Sequence, residues 1–474
     1  MADPVDADAV ADVDDAAGED GPTGLRTALA AAVAAVDGQD RDGQWQMAQA
    51  VAATLAGGDH LLVQAGTGTG KSLAYLVPAM LHATSPERRV VVATATLALQ
   101  HQLVARDLPR VADALEPVLG RRPTYAVLKG RHNYICLDRV HRGSADGEDS
   151  EQAALFAAPR TALGKQSKEL RGWVEQTETG DRDDVPFAID GRVWRAMSVS
   201  GRECIGASKC PYGQECFAEA ARDRARAAQV VVTNHAMLAI HSIENVPVLP
   251  EHDAVVVDEG HELADRATQA VTTELSAPAV ERALARSRRY VGEETVDRLE
   301  DAAALLGAEL TGFAESGGGR LTAVAGSLEL ALRSVRDACH RAITDMGNGQ
   351  NRDRAKADPE VGAAQQRAKG LLGEVHDVAA ALLDLDEEGV AWVDGGDRRA
   401  PTLRLAPLSV AGVLRSALFD KTRMVLTSAT LTLGGSFVPV AGSCGLPAEQ
   451  HGWTGLDVGS PFDHARQGIL YVPR

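Results

Sequence analysis

His60-Leu61-Leu62-Val63-Gln64-Ala65-Gly66-Thr67-Gly68-Thr69-Gly70-Lys71-Ser72 is a short apolar run that empties into a glycine-rich turn and ends on a lysine and a serine. The run His60 to Gln64 reads as a buried strand, and Ser72 to Leu81 continues as a helix. A strand, a glycine-rich turn and a helix in that order form a phosphate loop. The backbone N–H groups of the turn cradle phosphates at a helix N-terminus. Lys71 reaches the β and γ oxygens, and the Ser72 hydroxyl is offered to Mg²⁺. Gly66, Thr67, Gly68, Thr69, Gly70, Lys71 and Ser72 are therefore the candidate residues for a nucleoside triphosphate, with Ala65 standing where the usual pattern has glycine. The next elements, a strand at Val90 to Ala93 and a helix at Leu97 to Arg106, extend the strand–helix alternation of a parallel α/β sheet.

Working outward, Leu25 to Val36 and Gln44 to Ala56 read as helices, preceded by an acidic, alanine-rich stretch. Downstream, the alternation breaks down between about Pro117 and Ala225, where polar segments and cysteines replace strand signals. It returns at Val230-Val231-Val232-Thr233 and Ala254-Val255-Val256-Val257. From Thr268 to Leu385 the periodicity is helical, in segments Val280 to Tyr290, Glu294 to Phe313, Leu328 to Met346 and Ala364 to Leu383. Strand character resumes at Met424-Val425-Leu426, before Thr427-Ser428-Ala429-Thr430. One α/β domain interrupted twice is the economical reading.

The chain has 474 residues, enough for several cores, and its 45% apolar and 24% charged content is that of a globular protein. No apolar run is long enough to span a bilayer, and the first residues lack the basic start of a signal peptide. A cytoplasmic location and no membrane partner are expected. The net charge of −18 argues mildly against a nucleic-acid partner, but much of it lies in the tail, which holds eight acids before its first base at Arg26. Phosphate binding needs only a local basic surface.

The second chemical motif is Asp258-Glu259-Gly260-His261, delivered by the strand before it to the C-terminal edge where parallel sheets bind ligands. Asp258 is assigned to Mg²⁺, and Glu259 to activating the attacking water with Lys71 as partner in catalysis. Four cysteines lie between the two motifs, at Cys136, Cys204, Cys210 and Cys216. Their spacing is neither that of zinc fingers nor the dense run of bacterial ferredoxins. Four thiolates suit a tetrahedral Zn²⁺ or an iron–sulfur cubane, and spacing does not choose between them. Cys339 and Cys444 stand alone and read as packing residues. Around Cys136, Lys129-Gly130-Arg131-His132-Asn133-Tyr134 places cations beside an aromatic ring, a surface suited to phosphates and a stacked base. Lys129, Arg131, Tyr134 and, ahead of the helix at Leu97, Thr96 are the candidate DNA contacts.

Taken together, these motifs and their order resemble the iron–sulfur superfamily-two helicases of the XPD and DinG type, most closely the bacterial DinG type. The resemblance rests on the phosphate loop, Asp258 to His261, Thr427 to Thr430, Lys129 to Cys136, the three later cysteines, and Val232-Thr233-Asn234-His235-Ala236. It covers about residues 40 to 474. It implies a RecA-like P-loop sheet interrupted by an iron–sulfur domain and a helical arch domain, ATP with Mg²⁺, and a 4Fe–4S cluster on the four cysteines. It also implies 5′-to-3′ translocation on single-stranded and forked DNA, as a monomer, in DNA repair or replication. Gln44 resembles the glutamine that reads adenine in such motors, and His261, Ser428 and Thr430 resemble residues that couple hydrolysis to the DNA.

The expected divisions are an acidic disordered tail (1–24), a first motor segment (25–115), the cluster domain (116–225), a second motor segment (226–267), the arch (268–400) and a last motor segment (401–474). Members of this family carry a second motor domain after the Ser-Ala-Thr motif, with an arginine that completes the ATP site. Here Gly468 to Val472 reads as the threshold of that domain. An arginine finger is worth roughly 10³ to 10⁵ in rate. A product ending at Arg474 is therefore expected to bind nucleotide and DNA with little hydrolysis. A turnover-deficient binding module and a zinc-stabilised ATPase are the competing readings.

Overall fold

The computed structural model describes residues 24–85, 87–142, 162–201, 203–243, 246–321, 323–348, 359–396, 399–449, 451–462 and 464–467. The acidic tail (1–23) and the strand expected at Gly468 to Val472 lie outside them. The frame is a seven-stranded, wholly parallel sheet. In chain order its strands are β1 (His60–Gln64), β2 (Val90–Thr94), β3 (Tyr125–Val127), β4 (Val230–Asn234), β5 (Ala254–Asp258), β10 (Arg423–Ser428) and β11 (Trp453–Asp457). In space they run β11-β1-β10-β5-β2-β4-β3.

The β-branched runs explain why these segments sit in the centre. Both faces of a parallel sheet are covered by helices, so the strands are continuously apolar rather than alternating with polar residues. Side chains still alternate between the two covered faces. Leu61, Val63, Val90, Val92, Val230, Val232, Val256 and Val425 enter one core, with α1 (Leu25–Ala35), α2 (Asp42–Ala56), α3 (Lys71–His82) and the helix Leu108–Leu119. Leu62, Val91, Ala93, Val231, Val255, Val257, Met424 and Leu426 enter the other, with the helices Phe217–Ala227, His235–Ile243 and Leu263–Val271.

The sheet is interrupted twice. Between β3 and β4 the chain builds the cysteine module, whose own small core gathers Ile135, Leu137, Leu170, Val193, Trp194 and Met197. Between β5 and β10 it builds four long helices, Ala277–Ser287, Glu293–Glu315, Gly326–Met346 and Pro359–Leu383. A buried ion pair, Arg367 to Asp138 at 2.6 Å, ties the last of these to the cysteine module. Cys339 and Cys444 are buried in the core of this helical insertion and in the second sheet core.

Several local expectations change. The insertion expected to be helical also carries an antiparallel sheet ordered β6-β9-β8-β7, with β6 at Thr273–Leu275, β7 at Gly319–Arg320, β8 at Gly389–Gly396 and β9 at Arg399–Pro407. Ala391, Val393 and Leu403 pack one face of it against the long helices. Residues 401–407 thus finish this sheet rather than open the last motor segment. The helix from Leu97 gives way at Leu103–Asp107 to a π-helical turn and resumes at Leu108–Leu119. Strand β11 was not anticipated: Trp453 is its anchor, fully buried beneath the sheet's edge. No helix of the described residues is long and apolar enough to cross a membrane.

Candidate nucleotide site and cysteine cluster

Strands β1, β10 and β5 are neighbours, and their registers bring three remote motifs to one edge. Gln64 pairs with Ser428, and Thr427 pairs with Asp258. The phosphate loop leaves β1 at that edge, as ligand sites of doubly wound sheets do. Gly68 and Gly70 have φ of 83° and 87°, a region open to glycine and strained for other residues. A Cβ on Gly70 would lie 2.1 Å from Gln44 Nε2, because that amide donates to the Gly70 carbonyl at 3.0 Å. Gln44, buried on α2, thus braces the loop. Thr69 Oγ1 donates to the Gly66 carbonyl at 2.7 Å, Arg41 donates to the Gly68 carbonyl, and Thr67 is exposed. Lys71 and Ser72 open α3, half-buried, facing the same edge.

Asp258 ends β5 with its side chain buried. Burial first, and then the neighbouring Glu259 charge, push its carboxyl up to about 6. Glu259 has φ 55°, a left-handed conformation unusual for a residue with a side chain. That turn aims its carboxylate back at the phosphate loop. Lys71 Nζ lies 3.6 Å from Glu259 Oε1, and Ser428 Oγ donates to Glu259 Oε2 at 3.0 Å. His261 Nδ1 is 2.7 Å from the same Ser428 oxygen and donates to it when that nitrogen carries the proton. The Thr430 amide donates to Ser428 Oγ at 3.2 Å. The chain Lys71–Glu259–Ser428–His261 therefore joins phosphate loop, acidic motif and Ser-Ala-Thr motif in one network.

Gln64 and the loop after β11 have no signature in the sequence. Gln64 Oε1 accepts from the Leu431 and Thr432 amides at 2.9 and 2.8 Å, holding the Ser-Ala-Thr loop against the strand that feeds the phosphate loop. The loop after β11 covers the site's rim: the Gly66 amide donates to the Gly459 carbonyl, and a Cβ on Gly68 would meet the Phe462 ring at 2.6 Å. His235 is buried, with Nε2 at 2.8 Å from the Asp258 carbonyl oxygen, and burial lowers its pKa to about 4.

Cys136, Cys204, Cys210 and Cys216 line one small pocket, together with Arg131, Tyr134 and Tyr212. All four are half-buried free thiols. Burial raises the Cys136 thiol to about 11 and moves Cys210 in the same direction. The Arg131 guanidinium stands close enough to act on Cys204 and Cys216. Among the described residues no group of three or more His, Cys, Asp or Glu stands close enough together to hold a single ion. Four thiols around a cavity with a nearby cation fit the donor set of a multi-iron cluster, in which thiolates are stabilised by positive charge.

The expected DNA surface around Cys136 is not what the structure builds. Lys129 is 5% exposed and pairs with Asp181 at 2.6 Å and Asp183 at 2.8 Å. Arg131 is 10% exposed and paired with Glu219. Tyr134 is 3% exposed, and its hydroxyl accepts from the Lys129 amide at 3.2 Å. Buried cations need buried partners, and those arrive from sequence positions with no motif to mark them. These three residues brace the cysteine module from inside. Thr96 caps the helix at Leu97, accepting from the Leu99 amide at 3.2 Å.

Comparison with known proteins places the chain in a family. The DEAD/DEAH box helicase model matches residues 44–122. An ATP-dependent helicase DinG of Mycobacterium tuberculosis (strain ATCC 25177 / H37Ra) is 45% identical over 457 residues, covering 94% of this chain and 67% of the relative. The chain belongs to the DinG family of ATP-dependent helicases. An ATP-dependent DNA helicase YoaA of Escherichia coli (strain K12) is 30% identical, covering 92% of this chain and 66% of that protein. A solved structure titled XPD_Helicase overlaps it with a TM-score of 0.48 at 14% identity, covering 89% of this chain and 62% of the other. The chain thus spans about two thirds of the length of its DinG relatives. DinG membership makes it an ATP-dependent helicase by class, and gives the sheet-edge network a reaction to serve.

Proposed function

We propose that this chain carries the ATP site of a DinG-type DNA helicase that moves 5′-to-3′ on single-stranded DNA and opens forked substrates, as a cytoplasmic monomer in DNA repair or replication. The observation that carries the reading is the Lys71–Glu259–Ser428–His261 network, because it links triphosphate, water and DNA-coupling motifs through direct contacts. The amides of Gly66 to Ser72 and the Lys71 ammonium bind the β and γ phosphates. Ser72 and Asp258 would hold Mg²⁺, which supplies neutralising charge to the phosphates. Glu259 orients the attacking water and takes up its proton. Ser428 and His261 sense the state of Glu259, since any movement of its carboxylate breaks or remakes their hydrogen bonds. Thr430, held by its amide to Ser428, carries that change to the loop beyond.

The four thiols would hold a 4Fe–4S cluster, which supplies a rigid fastening of segments far apart in sequence. Cys136 follows the Lys129–Tyr134 brace, and Cys216 caps the helix Phe217–Ala227. Arg131, paired with Glu219, stands beside Cys204 and Cys216.

Steady-state ATPase with and without single-stranded DNA tests the reading, alongside unwinding of partial duplexes bearing a 5′ or a 3′ overhang. With the second motor domain expected of the family joined to this chain, stimulation by DNA and preference for the 5′ overhang are expected, and Lys71→Ala should abolish both. DNA-independent turnover, or activity retained by Lys71→Ala, would overturn it. Anaerobic purification followed by a visible spectrum and iron analysis tests the cluster; a colourless protein with one zinc refutes it.

A further inference from the structure

Tyr75 lies one helical turn beyond Ser72 on α3, so the two side chains share a face. It is wholly buried, and its hydroxyl donates to Asp258 Oδ2 at 3.1 Å. The Ser72 hydroxyl acts on the same phenol oxygen. The other carboxylate oxygen, Oδ1, accepts from the Glu259 amide at 3.1 Å. The backbone beneath is fixed as well, by the parallel register to Thr427 and by His235 at the Asp258 carbonyl. The Asp258 side chain thus has one oxygen held by its own motif and the other by α3. Lys71 draws on the same carboxylate from the phosphate loop, so the phenol opposes a competing pull. A buried tyrosine needs an acceptor; here the acceptor is the carboxylate assigned to the metal, and the phenol stands beside the serine assigned to the same ion.

We propose that Tyr75 is a positioning residue that holds the Asp258 carboxylate, relative to Ser72, in the orientation that receives the nucleotide-bound Mg²⁺; this rests on the assignment of Asp258 and Ser72 above. Tyr75 touches neither nucleotide nor water and acts only through Asp258. Groups that orient metal ligands from behind set metal affinity more than they set chemistry, and their loss weakens binding by about 10- to 100-fold.

The test is a Mg²⁺ titration of fluorescent ADP binding to the full chain, for wild type, Tyr75→Phe, Asp258→Asn and the double variant, with a metal-free baseline in EDTA. Tyr75→Phe should raise the half-saturating Mg²⁺ concentration about tenfold and leave affinity in EDTA unchanged. Asp258→Asn should abolish the Mg²⁺ enhancement, and adding Tyr75→Phe to it should change nothing more. If Asp258→Asn keeps the enhancement, the site assignment fails and the proposal falls with it. If Asp258→Asn loses it while Tyr75→Phe keeps the wild-type half-saturation, the positioning role alone is refuted. Equal weakening by Tyr75→Phe with and without Mg²⁺ also refutes it, since a merely structural residue would act on both. Should Tyr75→Phe fail to fold, Tyr75→Met, which keeps most of the volume, carries the same expectation.

Discussion

Asp258→Asn replaces a buried carboxylate whose charge the folded protein resists. In the fold its carboxyl titrates near 6, against a reference of 3.8, because burial and Glu259 disfavour the anion. The difference is about two pH units, and each unit corresponds to about 1.36 kcal/mol, so the ionised group weakens the metal-free fold by about 3 kcal/mol. The sign follows from proton binding. Below pH 3.8 the group is neutral folded or unfolded, and no penalty exists. Between 3.8 and about 6 the folded state binds the proton more tightly, and the penalty grows as pH rises. Above about 6 the group is ionised in both states, and the full penalty applies. Asparagine never ionises. Its carbonyl can still accept from Tyr75, but its NH2 then faces the Glu259 amide, and that lost hydrogen bond offsets about 1 kcal/mol of the gain. At pH 8 in EDTA, Asp258→Asn should therefore be more stable than wild type by up to about 2 kcal/mol, with the gap closing as pH falls through 6 towards 4. With Mg²⁺ and nucleotide the order should reverse, because only the ionised aspartate gains a ligand. Urea unfolding followed by hydrogen exchange of the β5 amides reads the sheet itself, apart from the two insertions. A variant no more stable than wild type at pH 8 in EDTA, or a gap independent of pH, would refute the reasoning.

Lys129→Met should lower stability by about 3 to 5 kcal/mol, because it strands the Asp181 and Asp183 carboxylates; protease resistance of the cysteine module reports this. Gly70→Ala places a methyl 2.1 Å from Gln44 Nε2 at a φ of 87°, so nucleotide affinity should fall at least about tenfold, the equivalent of ~1.4 kcal/mol. Pairing it with Gln44→Ala removes the clash but not the strained φ, so equilibrium binding should recover only in part. Cys136→Ser should remove bound iron and visible absorbance while leaving nucleotide affinity within about twofold, since the cysteine cavity and the phosphate loop belong to different sites; iron analysis and fluorescent ADP binding check the two halves separately.

Local pattern was enough for the strands that form the sheet's centre and for most helices, because burial on both faces selects unbroken apolar runs. The run His60 to Gln64 and the long helices of the second insertion are examples. β3 and β11 carry no such signal: both are edge strands, β3 is only three residues long, and β11 (Trp-Thr-Gly-Leu-Asp) has no apolar run. The strands β8 and β9 carry short apolar stretches, such as Val390 to Val393, with no clean alternation, and they lie beside long helical segments. Lys129, Arg131 and Tyr134 show the clearest difference. Their residue types suit a nucleic-acid surface, and only the arrival of Asp181, Asp183 and Glu219 turns them inward.

The phosphate loop, the acidic motif and the four cysteines were determined by the sequence alone, because each is a chemical requirement met by particular residue types at short spacing or at a strand end. Tertiary structure decided how they meet. A parallel sheet with the order β1-β10-β5 sets Gln64 against Ser428 and Thr427 against Asp258, so motifs separated by whole inserted modules share one hydrogen-bonded edge. It also decided which polar residues are buried. Tyr75, Gln64 and Gln44 act through partners brought close by packing, 183, 367 and 26 residues away, and no local pattern encodes such a contact.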